Sequence, residues 1–215
     1  MNKAQLAELI DEEIKILGSK VMDCPWESEE FYKGWLAQTY YLIRHTTKFL
    51  ALSAARIPVD DRANHYFMLH HIEEEANHDF MPLKDLENLG ARPDQYRELP
   101  ETEMIHQLQY YWIQFQHPLA LCGYAFILEG AAKFFGPKLL ERLEKTYGKK
   151  ATVHLRVHAV VDQDHYDEGR KFLETLDDTA CEAIARNLKQ STLLYQRMME
   201  RLAQEALQGK VRAAA

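Results

Sequence analysis

Along most of the chain, polar and apolar residues alternate with a helical period. The opening MNKAQLAELIDEEIKIL places its acids and bases at helical spacing, and comparable periodicity continues almost to the end. Sustained period-two alternation is missing, as are the Asn-Gly and Asp-Gly turns of hairpins. The pattern predicts a first helix from about Lys3 to Met22, broken at Cys24-Pro25. A second runs from Ser28 to Ala55 and ends near Pro58. A third, capped by Asp60 or Asp61, continues to Leu89 and stops at Gly90. The stretch ARPDQYRELPETE, with Pro93 and Pro100, is the main irregular connection. A fourth helix from about Glu101 meets Pro118 and leads into a fifth through Phe134. Gly136-Pro137 sets off a short helix ending at Tyr147-Gly148. The next spans Lys150 to Leu176, and Asp177, Asp178 or Thr179 caps a last one through Leu207. The expectation is one all-α domain over residues 1–215, a bundle of seven to eight helices with a frayed tail at 208–215.

Composition narrows the function. With 47% hydrophobic residues the chain has enough apolar side chains for a core. A net charge of -7 and the lack of a clustered basic patch argue against a nucleic-acid partner. The apolar run PLALCGYAFIL is shorter than the roughly 20 residues that cross a bilayer, so no membrane association is expected. Three widely spaced cysteines, Cys24, Cys122 and Cys181, form no disulfide pattern. A cytoplasmic location is expected.

Three segments carry residues that a packed bundle does not require. In HHIEEEANHDF, Glu75 lies three residues before His78 and Glu74 four before it, so either acid can share a helical face with the imidazole. Glu-x-x-His is a spacing that helical bundles use for carboxylate metal sites, although an acidic run alone usually marks a solvated face. Glu129 sits in the apolar run PLALCGYAFILEGAAKFFG, where a buried carboxylate needs a cation or a partner; Lys133, one turn on, is the ordinary alternative. In HAVVDQDHYDEG, His158, Asp162 and His165 fall at spacings of four and three, within about 60° of one another on a helix. His154 extends that stripe by a turn. Together these segments offer three carboxylates and three imidazoles. That is more than one catalytic zinc takes, and it suits two first-row transition ions with open positions.

These residues resemble the haem-oxygenase-like di-iron oxidases, the iron-containing redox enzymes. The set Glu75-x-x-His78, Glu129 and His158-x-x-x-Asp162-x-x-His165 carries the resemblance. WLAQTYYLIRHTTKFLALSAAR and GYAFILEG add to it, over about Leu9 to Leu176. The resemblance implies a single-domain haem-oxygenase-like bundle, related in fold to thiaminase-II and PqqC-like proteins. It implies an iron-dependent oxidoreductase that activates O2 with two Fe(II) ions to oxidise a small organic substrate. Carried over by position, His78, Glu129 and His158 hold one iron; Glu75, Asp162 and His165 hold the other, with Glu74 the runner-up to Glu75. Substrate, reductant, the choice of iron or manganese, and a homodimeric assembly stay open.

The apolar Phe126 and Ile127 and the run Tyr110-Tyr111-Trp112 are candidates to keep the site dry. Tyr40, Tyr41, Arg44 and His45 are expected on a helix facing the same cavity, as mixed core and surface residues. Rival readings are haem oxygenase itself, a PqqC-like oxidase, a metal-independent thiaminase-II-like hydrolase using Cys122, and a non-enzymatic interaction bundle.

Overall fold

A computed structural model describes residues 1–161 and 163–209. Among them there are ten α-helical segments and no strand. In order they are α1 (Lys3–Met22), α2 (Glu29–Ile43), α3 (Thr46–Arg56), α4 (Arg62–Glu74), α5 (Phe80–Asn88), α6 (Pro100–Tyr111), α7 (Leu121–Tyr147), α8 (Val153–Arg156), α9 (Gln163–Phe172) and α10 (Asp178–Leu207). Helix ends fall where local chemistry closes them. Asn2 and Gln5 form a reciprocal capping box on α1, with bonds of 3.0 and 3.1 Å. The Asp177 carboxylate accepts the Ala180 N–H at 2.7 Å and starts α10, so the expected start and end of that helix hold.

The count exceeds the expected seven or eight because three predicted helices are broken, while two predicted pieces are joined. The second breaks at Arg44-His45. The third breaks at Glu75–Asp79, where Asn77 takes φ 71°, a left-handed conformation that cannot continue a right-handed helix. The segment from Lys150 is interrupted by a π-helical stretch, Val157–Val161, between α8 and α9. By contrast Pro137 lies inside α7 without ending it. Gly136, Leu139, Leu140 and Leu143 are all buried around that point, and their packing offsets the lost backbone bond.

Helix α7 is the axis of the bundle, packed on α1, α9, α10 and the π segment. Its small residues set those distances. A Cβ on Gly123 would lie 2.5 Å from the Ile184 carbonyl oxygen of α10, and one on Gly136 would lie 2.6 Å from the Ala159 Cβ of the π segment. The stretch Pro118–Tyr147 is long and apolar enough to span a bilayer by length and composition, contrary to the short run expected; 56% of its most apolar window is buried within the bundle. The α1 stripe of Leu6, Ile10, Ile14 and Leu17 is buried against this axis.

One buried polar tie positions the site. Asp85 of α5, fully buried, accepts the Val153 N–H at 2.8 Å and the His154 N–H at 2.9 Å, capping α8 from outside its own sequence. The Tyr32 hydroxyl donates to the Ala151 carbonyl at 2.7 Å and anchors the same junction. The chain leading to His158 is thereby fixed at its N-terminal side.

Candidate metal centre

Two pockets share a wall in the middle of the bundle. One of about 170 Å³ is lined by Glu75, Glu129, His154, His158 and His165, with Leu42, Leu128 and Phe135 among its apolar residues. A smaller one, about 60 Å³, is lined by His71, Glu75, Cys122, Phe126 and Glu129. Thr46, Glu75, Tyr124, Ala125 and Glu129 line both. Two carboxylates therefore stand where the pockets meet.

Each side chain arrives by a different device. Glu75 is the C-cap residue of α4, and the left-handed turn at Asn77 brings His78 back towards it, with Nδ1 3.2 Å from Glu75 Oε2. The two were expected on one helical face; they meet instead across a turn. His158 lies in the π segment, a rare wider turn that is frequently found at functional sites. Its ring packs edge-on against His78 at 5.0 Å and against His154 at 4.6 Å. Glu129 comes from α7, half-buried, and His165 from α9. Asp162 lies outside the described residues.

Five of the six candidates thus converge. Glu75 lines the pockets and Glu74 does not, so the geometry favours Glu75 as the inward-facing acid. Glu74 instead lies beside His71, His70 and His165, at 2.6, 3.2 and 3.4 Å. His165 is therefore shared between the inner pocket and Glu74.

The electrostatics prepare ligands. Burial pushes His158 down to about 3, helped by the neighbouring His154. Burial, with His78, does the same to His154. At neutral pH both rings are uncharged and present lone pairs. Burial raises Glu75, but the His78 hydrogen bond and the surrounding imidazoles outweigh it, and the carboxyl stays below its ordinary value. Anionic oxygens and neutral nitrogens around one pocket are the donor set of a first-row divalent metal, so these residues fit iron.

Cys122 lines the smaller pocket together with Glu129. It is buried, and burial followed by the Glu129 charge pushes its thiol up to about 12, so it is protonated at neutral pH.

The family model for iron-containing redox enzymes matches residues 33–208. The chain belongs to that family. The bundle superimposes on a domain of unknown function with a haem-oxygenase-like fold from Shewanella denitrificans, with a TM-score of 0.83, 20% identity and 98% of each chain covered. A TenA homologue from Pseudomonas syringae follows, with a TM-score of 0.74, 13% identity and 93% of each chain. A TenA homologue from Pyrococcus furiosus has a TM-score of 0.70 and 13% identity, over 92% of this chain and 99% of that one. These likenesses establish the haem-oxygenase-like fold. A search of curated proteins finds no match.

The second predicted helix does face the larger pocket, through Thr39, Leu42 and Ile43, and the residues beside them form the expected mixed core and surface face; the aromatic run is the part that needs correcting. Tyr40, Tyr41, Arg44 and His45 do not line the pockets. The Tyr41 hydroxyl bonds the carbonyls of Pro93 and Tyr96, Arg44 pairs with Glu98 at 3.2 Å, and His45 stacks on His106 at 4.3 Å. The break before α3 turns this face towards α6 and its approach. In the aromatic run 110–112, Tyr110 contacts His45, Tyr111 is 51% exposed, and Trp112 packs on Ala120 and Ala183. Phe126 does line the smaller pocket; Ile127 is buried elsewhere. Sequence reasoning missed Tyr124, buried beside Thr46 and Glu75, because an aromatic in an apolar run reads as core.

Proposed function

We propose that this member of the iron-containing redox enzyme family is a non-haem di-iron oxidase that uses O2 to oxidise a small organic substrate. The observation that carries the reading is the shared pocket lining of Glu75, Glu129, His158 and His165, with His78 against both Glu75 and His158. With Asp162 added from the sequence, the set provides three carboxylates and three imidazoles. His78, Glu129 and His158 would hold one ferrous ion, and Glu75, Asp162 and His165 the other. Iron held by these residues would supply the redox chemistry for O2 reduction.

The chain's own residues perform the remaining tasks. Leu42, Ile43, Leu128, Phe135 and Leu139 form an apolar wall that keeps water from the reacting groups. Two ferrous ions against three carboxylates leave one positive charge, which favours an anionic ligand such as a substrate carboxylate. The partners in this reading are a small molecule, O2 and an electron donor; nucleic acid and membrane have no part in it. A cytoplasmic setting accords with the three free thiols.

The metal-independent hydrolase reading is not better supported: Cys122 lines the smaller pocket with Glu129, but burial keeps its thiol protonated at neutral pH. Anaerobic Fe(II) titration with metal counting, followed by O2 exposure watched by absorbance, tests the proposal. Two ions per inner pocket and an O2-dependent spectral change are expected. Saturation with no more than one ion there, even with substrate present, overturns it.

A further inference from the structure

Helices α4 and α9 build a second ligand group beside the inner pocket. His70 Nε2 lies 3.2 Å from Glu74 Oε1, and ligand atoms of His70, Glu74 and Glu168 all lie within 4.8 Å of one another. His165 Nε2 approaches the same Glu74 oxygen at 3.4 Å. The other Glu74 oxygen is 2.6 Å from His71 Nδ1, which holds the carboxylate in orientation.

Three features separate this group from an ordinary surface ion pair. The ion-pair partners of Glu74 among the described residues are three imidazoles, whereas structural pairs usually recruit Arg or Lys. Metal–ligand bonds of about 2.0–2.2 Å place neighbouring ligand atoms roughly 3–3.5 Å apart around one ion, and the Glu74 contacts to His70 and His165 have that spacing. The group also runs from solvent to the pockets: the His70 side chain is 57% exposed, while His71 and His165 line the inner cavities.

We propose that His70, Glu74 and Glu168 form an outer site for one divalent first-row transition ion, linked to the inner pocket through His165. Mixed imidazole and carboxylate donors suit Fe(II), Mn(II), Co(II) or Zn(II) over Mg²⁺ or Ca²⁺. The site explains why two adjacent acids face different ways: Glu75 inward, Glu74 outward. The proposal stands beside the di-iron reading and does not need it.

Equilibrium dialysis with Co(II) alone tests it in full-length protein. In a Glu129→Gln/His158→Ala/Asp162→Ala background, which removes ligands from both proposed inner ions, one Co(II) remains bound. Adding His70→Ala/Glu168→Gln weakens that binding at least tenfold. Both changes lie at the rim, and helicity by circular dichroism confirms folding. If the disabled background retains no Co(II), or retains it regardless of residues 70 and 168, the outer site is overturned. Ion counts keep the two proposals apart. If the outer site fails, wild type and His70→Ala/Glu168→Gln bind equal numbers of Fe(II). If the di-iron reading fails, His70→Ala/Glu168→Gln holds fewer than two.

Discussion

His78 Nδ1 lies 3.2 Å from Glu75 Oε2, and the contact depends on a single left-handed residue between them. Asn77, at φ 71°, reverses the chain after α4 so that the imidazole folds back over the carboxylate. Asparagine tolerates that conformation far better than a β-branched residue does.

Asn77→Val is expected to cost about 1–2 kcal/mol of stability, the penalty for forcing a branched side chain left-handed. It should also weaken Fe(II) binding, because His78 loses its approach to Glu75. Asn77→Gly should preserve both properties. Melting temperature and anaerobic metal counting on the two variants check this; a valine variant that binds iron like wild type would show that the turn does not position His78.

Gly136 is a second point where backbone geometry supports the site. A methyl group there would sit 2.6 Å from Ala159 Cβ, next in sequence to His158. Alanine gains up to about 1 kcal/mol in helix propensity over glycine, whereas overpacking a tight contact costs about 1–3 kcal/mol. The clash wins, so Gly136→Ala should lower the melting temperature and reduce Fe(II) affinity together. Unchanged melting would mean that the π segment yields without strain.

How much of this was legible in the sequence follows from the range of each interaction. The ends of α1 and α10 were readable because Asn2 and Asp177 cap locally. Glu129 was foreshadowed as a carboxylate in an apolar run, and Glu75, His158 and His165 by their ligand spacing along helical segments. The turn at Asn77 and the π segment at Val157–Val161 were not readable, since both interrupt stretches whose local pattern reads as continuous helix; the π segment packs closely on α7 at Gly136. Pro137 misled in the opposite direction, because packing carries α7 through it. Asp85 gave no signal either: its role as a cap for α8 spans 68 residues.

Acid should destabilise the metal-free protein in a definite window. His45 is held down at about 4 by burial and the facing His106, and His154 and His158 at about 3. Their folded values lie below the ordinary 6.5, so the unfolded chain binds protons first as pH falls. Stability is full above about 6.5 and is lost as pH falls towards 3–4. For the buried His154 the slope reaches up to about 1.4 kcal/mol per pH unit. Asp85 acts in the opposite sense: burial raises its carboxyl from 3.8 to about 6, so its protonation favours the fold between those values. Three imidazoles outweigh one carboxyl. Melting temperatures of apo protein should therefore drop from pH 7 to pH 5, and a flat or rising profile would refute the burial of these rings.

Glu129 gives the sharpest separation of structural from functional roles. It shares a pocket wall with Glu75, so metal-free protein holds two carboxylates facing one confined space. Glu129→Gln should leave apo stability unchanged or improved, because a half-buried charge gives way to a neutral amide of the same shape. The same change should abolish most of the stabilisation that iron confers, which amounts to about 2.7 kcal/mol when free metal is 100 times the dissociation constant. A surface acid would behave differently: its loss would cost under about 1 kcal/mol, and iron would stabilise mutant and wild type equally. Melting curves of both proteins, with and without anaerobic Fe(II), distinguish these outcomes. A full iron-dependent shift in the glutamine variant would remove Glu129 from the metal centre.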